Sequence, residues 1–99
     1  MTDRELLEFA AKAAGIGFYK GDYANGLDTK TGFWNPLTDN GDALRLAVKL
    51  RMQIDILDRS IYAVAMGSVK VCELDRADIG AATRRAITRA AAEVGKAML

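Results

Sequence analysis

Between Gln53 and Leu74 the hydrophobic pattern changes from a helical period to short apolar runs, while the segments on both sides keep helical spacing. This limits the chain to a mixed fold with its sheet late in the sequence. Gln53 to Leu57 alternates Ile54 and Ile56 with polar neighbours, Ile61 to Met66 is nearly all apolar, and Val69 to Leu74 follows Gly67-Ser68. A two-residue Gly-Ser link between apolar runs predicts a tight type II′ hairpin and hence antiparallel strands.

The flanking segments read as helices with their own start signals. Thr2 with Glu5 three residues later forms a capping box, Leu6, Phe9, Ala10 and Ala13 recur at helical spacing, and Gly15 is a natural stop. Asp39 or Asn40 caps a second helix in which Ala43, Leu44, Ala47, Val48 and Leu50 supply a wide apolar face, ending near Met52. Asp75 or Asp78 caps the last helix, with Ile79, Ala82, Ala86, Ile87, Ala90, Val94 and Met98 on its inner side. From Ile16 to Asp39 the chain is instead punctuated by glycines and holds Phe18, Tyr19, Tyr23, Phe33 and Trp34, which predicts a long loop or a ragged hairpin around Asn25-Gly26. The expected fold is α+β: a short three-stranded antiparallel sheet sandwiched with about three helices, in the order α, long loop or hairpin, α, β-β-β, α, over residues 1–99 as one domain. A chain of 99 residues buries only about 60–68% of the surface its unfolded form exposes, enough for one modest core.

Composition narrows function more than it narrows fold. There is no histidine, which removes the usual neutral-pH general base, imidazole metal ligands and any Ser-His or Cys-His pair. One cysteine forms neither an internal disulfide nor a multi-thiolate zinc site; Cys72 is expected mid-strand, buried and inert. No catalytic residue, metal ligand or cofactor is assigned. A formal net charge of +1 disfavours nonspecific attraction to nucleic acid. The longest apolar run, Ile61 to Met66, is far short of the roughly 20 residues that span a bilayer, and Asp3, Arg4 and Glu5 stand where a signal peptide would be positive. A cytoplasmic protein without membrane contact is expected.

Trp34-Asn35-Pro36-Leu37-Thr38-Asp39, followed by Ala43-Leu44, resembles the signature of small phage-encoded proteins, including the phage ABA-sandwich domain proteins and, more loosely, the lambdoid NinX proteins. Those proteins place the signature before a helix, a short hairpin and a C-terminal helix, and Thr83-Arg84-Arg85-Ala86 is similar to runs in phage hypothetical proteins. The likeness covers the element order over most of the chain, on a shared motif of about ten residues. It implies a phage or prophage accessory gene acting in the host cytoplasm. Most members of those families have no assigned role, so it implies little about activity.

Two surfaces carry the functional expectation. Phe33, Trp34 and Asn35 form a shallow pocket for a base, nucleotide or partner side chain, or else Trp34 is core and Asn35-Pro36 merely a helix lead-in. Arg84, Arg85 and Arg89, with Lys96, make a basic stripe that either clamps phosphate or is a solvated helix face. The preferred reading is a non-enzymatic binder of a host protein or small signalling nucleotide, with a counter-defence role taken from the phage resemblance. A nucleic-acid-binding module using the basic helix is the alternative. A carboxylate-metal hydrolase using Asp55, Asp58, Glu73, Asp75 and Asp78 is a third. The alanine-rich last helix also suggests a homodimer.

Overall fold

The computed structural model describes residues 1–19, 24–65, 67, 69–74 and 77–98. Helix α1 (Asp3–Ala14) begins with the predicted capping box: Thr2 Oγ1 accepts from the Glu5 N–H at 3.2 Å and the Thr2 N–H donates to Glu5 Oε1 at 3.0 Å. It ends with Gly15 at φ 71°, whose N–H and that of Ile16 reach back to the Lys12 and Ala11 carbonyls, closing a Schellman turn. The last helix, α3 (Ile79–Ala97), is capped by Asp78, which accepts from the Ala81 N–H at 3.0 Å; Asp75, the other expected cap, lies outside the described residues.

Helices α1 and α3 meet at backbone contact, because small residues line both sides: Ala10, Ala11 and Ala14 cluster with Ala91, and Gly95 is buried with them. A Cβ built on Gly95 would run into the Phe9 carbonyl. Of the alanines that suggested a homodimer, Ala86, Ala90, Ala91 and Ala92 are buried within one chain, Ala81 and Ala82 are half-buried, and Ala97 is exposed. Helix α3 also differs from expectation at its ends, where Ile79 and Met98 are exposed instead of inward.

Strands β1 (Leu27–Thr29) and β2 (Gly32–Trp34) form a small antiparallel hairpin whose turn is Lys30-Thr31, not Asn25-Gly26. The reason is local. Gly26 is buried at φ 99° beneath the segment that follows β2, and a Cβ there would stand 2.5 Å from the Trp34 carbonyl oxygen. Thr29 Oγ1 braces the true turn by donating to the Gly32 carbonyl at 2.6 Å. Tyr23, one of the loop aromatics, lies outside the described residues.

The Trp34-Asn35-Pro36 segment turns the chain into α2 (Asn40–Lys49). Trp34 is only 8% exposed and Pro36 is fully buried. Asn35 Oδ1 accepts from the Leu37 N–H at 3.1 Å, and its carbonyl accepts from Thr38 and Asp39, so the residue organises the turn twice over. Asp39 caps α2 through Asp42 N–H at 2.8 Å. The helix stops at Lys49, short of Met52, in a second Schellman turn: the Arg51 N–H donates to Val48 and the Met52 N–H to Ala47, with Arg51 at φ 51°.

Strands β3 (Gln53–Ile56), β4 (Ser60–Val64) and β5 (Val71–Leu74) form the antiparallel sheet in that order. Ile61, Ala63 and Val71 face α3 and pack on Ala86 and Ala90. A second cluster joins Leu27, Trp34, α1 and α2 to Ile87 and Ala91, so α3 serves both cores. Pairing of β4 with β5 closes at Ala63↔Val71, which makes the connection longer than the two residues expected of Gly67-Ser68; Ser68 lies outside the described residues. Tyr62, Val64, Cys72 and Leu74 stand on the opposite face, where none is buried. Cys72 is exposed, contrary to expectation, because it pairs with Tyr62 on that outer face. The result is the α+β class in the expected order, with three helices and two-stranded and three-stranded antiparallel sheets among the described residues.

Candidate functional site

The six residues expected to bind ligand separate into three environments. Trp34 is core and Asn35 is engaged in its turn. Phe33, one position before Trp34 on the other face of the hairpin, is 59% exposed. The arginines join α3 to three different elements. Arg84 Nε donates to the Leu37 carbonyl at 3.0 Å and its Nη1 to Asn40 Oδ1 at 2.7 Å, tying α3 to the start of α2. Arg85 pairs with Asp3 at 3.0 Å on α1, and Arg89 binds the Cys72 carbonyl and the Glu73 carboxylate on β5.

These bonds decide what the basic stripe can do. Arg85, Arg89 and Lys96 line a cleft of about 410 Å³, but Glu73 and Glu93 line it too. Arg85 commits Nη1 to Asp3 and Arg89 commits Nη1 to the Cys72 carbonyl and Glu73, and a phosphate entering there would also meet the Glu73 and Glu93 carboxylates, which repel it. Each arginine of the stripe thus ties α3 to another element.

Residues expected inside the core instead converge on one open groove. Leu44 of α2, Ile56 of β3 and Ile79 of α3 line a cavity of about 520 Å³ floored by Ile54 and Ile87, with Arg84 at its edge. Leu44 and Val48, one turn apart on α2, are 64% and 67% exposed, and Ile56 and Ile79 are 57% and 43% exposed. The cause is angular. Helix α2 buries Ala43, Leu46 and Ala47, and a stripe through Leu44 and Val48 lies about 100° round the helix from Ala43 and Ala47. Sequence periodicity registers one broad apolar face there; the core covers only part of it. The excess width of that face, Ala43, Leu44, Ala47, Val48 and Leu50, is the sequence signal of the groove.

A second, mixed cleft of about 450 Å³ opens between the β1–β2 hairpin, the end of α1 and α2, and is lined by Thr29, Thr31, Phe33, Asp42, Arg45 and Lys49 among others. Asp42 accepts from the Asn35 N–H at 2.9 Å and from Arg45 Nη2 at 2.7 Å. Among the described residues no group of three or more His, Cys, Asp or Glu is placed to hold a metal ion, and no helix is long and apolar enough to cross a membrane.

Comparison of the chain with protein families, with curated proteins and with solved structures found no match to any of them.

Proposed function

We propose that the chain is a non-enzymatic binding protein that docks a host protein through the apolar groove between α2, β3 and α3. The observation that carries this reading is the convergence of Leu44, Ile56 and Ile79, from three separate elements, on one cavity rimmed by few charges. Scattered exposed aliphatics are ordinary on a small protein, whereas a contiguous apolar patch marks an interaction surface. Each such side chain contributes roughly 1–2 kcal/mol when a partner removes it from water. A groove lined from two helices and a strand fits an amphipathic helix as its occupant.

The phage or prophage origin, the accessory role in the host cytoplasm and a counter-defence purpose belong to the same proposal and rest on the Trp34-Asn35-Pro36 resemblance. The internal bonds of Arg84, Arg85 and Arg89 favour a protein partner over a nucleotide or nucleic acid held by those arginines.

Site-specific photocrosslinking in host cells tests the reading. A crosslinking residue at position 44 or 79 should give one discrete adduct with a host protein, and one at Leu74, equally apolar and exposed but on the outer sheet face, should not. Equal adducts from all three positions, or an adduct of the mass of two copies of this chain, would contradict it.

A further inference from the structure

The mixed cleft beside the β1–β2 hairpin is chemically unlike the apolar groove, and we infer that it is a binding site for a small aromatic phosphate of mononucleotide size. Its volume of about 450 Å³ lies in the range of small-molecule sites. Phe33 presents an open ring at the cleft, which offers stacking to any planar base. Two cations one helical turn apart on α2, Arg45 and Lys49, line the same space. Lys49 has no carboxylate partner among the described residues, and the ion pairs of Arg45 to Asp42 and Asp39 both run through Nη2, leaving its other nitrogens for a ligand. The Thr31 hydroxyl lines the hairpin side, 3.4 Å from Thr29 Oγ1.

Asp42 also lines the cleft, and its role decides the ligand class. One oxygen accepts from the Asn35 N–H and the other from Arg45, so the carboxylate is satisfied and braces the guanidinium instead of facing the cavity unpaired. Two cations and one carboxylate leave a lining of net charge +1, suited to a phosphate monoester and poorly matched to a triphosphate. Recognition needs both halves: the ring alone gives no orientation, and the cations alone give a salt-sensitive contact. The site shares no residue with the groove at Leu44 and Ile79, so it stands or falls separately from the protein-docking reading.

Titration of the whole chain with nucleoside 5′-monophosphates, followed by amide chemical shifts, tests the site. Saturable shifts should centre on Thr31, Phe33 and Lys49 with a dissociation constant below about 1 mM, and the nucleoside alone or inorganic phosphate alone should bind at least about tenfold more weakly. Phe33→Ala and Lys49→Gln each replace an exposed side chain, so both should fold as the parent does and weaken binding by about tenfold or more. No saturation by any monophosphate, affinity unchanged in both variants, or tighter binding of a short oligonucleotide with steep salt dependence would overturn the inference.

Discussion

The backbone N–H of Asn35 donates to the Asp42 carboxylate at 2.9 Å, so the residue opening the Trp34-Asn35-Pro36 turn is held by the first turn of the helix that follows it. Asp42 also pairs with Arg45, and its own N–H is capped by Asp39. One carboxylate thus joins the hairpin exit, the turn and α2. Asp42→Ala should destabilise the fold by about 1.5–3 kcal/mol, the usual range for a hydrogen bond to a charged group, and Asp42→Asn should recover part of that because its amide oxygen still accepts. Urea unfolding followed by Trp34 fluorescence reads both, since the chain has one tryptophan and it packs into this core.

Gly26 has no room for a side chain and a backbone that side chains rarely adopt. Gly26→Ala should cost about 2–4 kcal/mol from combined strain and overpacking. Gly17, exposed with nothing near its missing Cβ, is the matched control: Gly17→Ala should be neutral or stabilising by about 0.5 kcal/mol.

Arg51 occupies the left-handed position after α2 that glycine fills after α1. It has an exposed side chain, so replacement removes strain without removing a core contact. Arg51→Gly should stabilise by about 0.5–1 kcal/mol, relief of left-handed strain being partly offset by the freer unfolded chain. A melting temperature raised by a few degrees in calorimetry is the expected readout; an unchanged or lower value would show that Arg51 makes up for its strain elsewhere.

Hydrogen bonds from the Thr2 backbone N–H, and then from the Thr2 hydroxyl, hold the Glu5 carboxyl below its ordinary range. The ionised form is therefore favoured by folding, and its contribution to α1 is complete above the ordinary carboxylate range and lost as pH falls through the lowered folded value. Glu5→Gln keeps a capping-box acceptor without the titration. Stability measured from about pH 6 to about pH 3 should fall more for the parent chain than for Glu5→Gln over the acid limb.

What was legible in the sequence was local chemistry. The Thr2/Glu5 box, the Asp39 and Asp78 caps and the Gly15 stop each depend on residues within one or two turns, and each forms as the spacing predicts. Choices made by tertiary packing were not legible. Asn25-Gly26 has the composition of a hairpin turn, but Gly26 is needed beneath Trp34, so the turn moved to Lys30-Thr31. Leu44, Val48 and Ile79 fit the apolar periodicity of their helices and still lost the competition for the core to Ala43, Leu46, Ala47 and the alanines of α3. Arg84, Arg85 and Arg89 looked like a ligand stripe because their partners Leu37, Asp3 and Glu73 are distant in sequence.

In the proposed docking mode, Leu44 and Ile79 are exposed for a partner and contribute little to the fold. Measuring the melting temperature and the host-protein adduct yield of a Leu44→Ser/Ile79→Ser double variant, with the crosslinking residue at Ile56, separates those two roles in one experiment. The expected result is a melting temperature within a few degrees of the parent and loss of most of the adduct, because exposed side chains removed from the surface change stability little. An undiminished adduct, or a melting temperature lowered as far as by a core deletion, would contradict it.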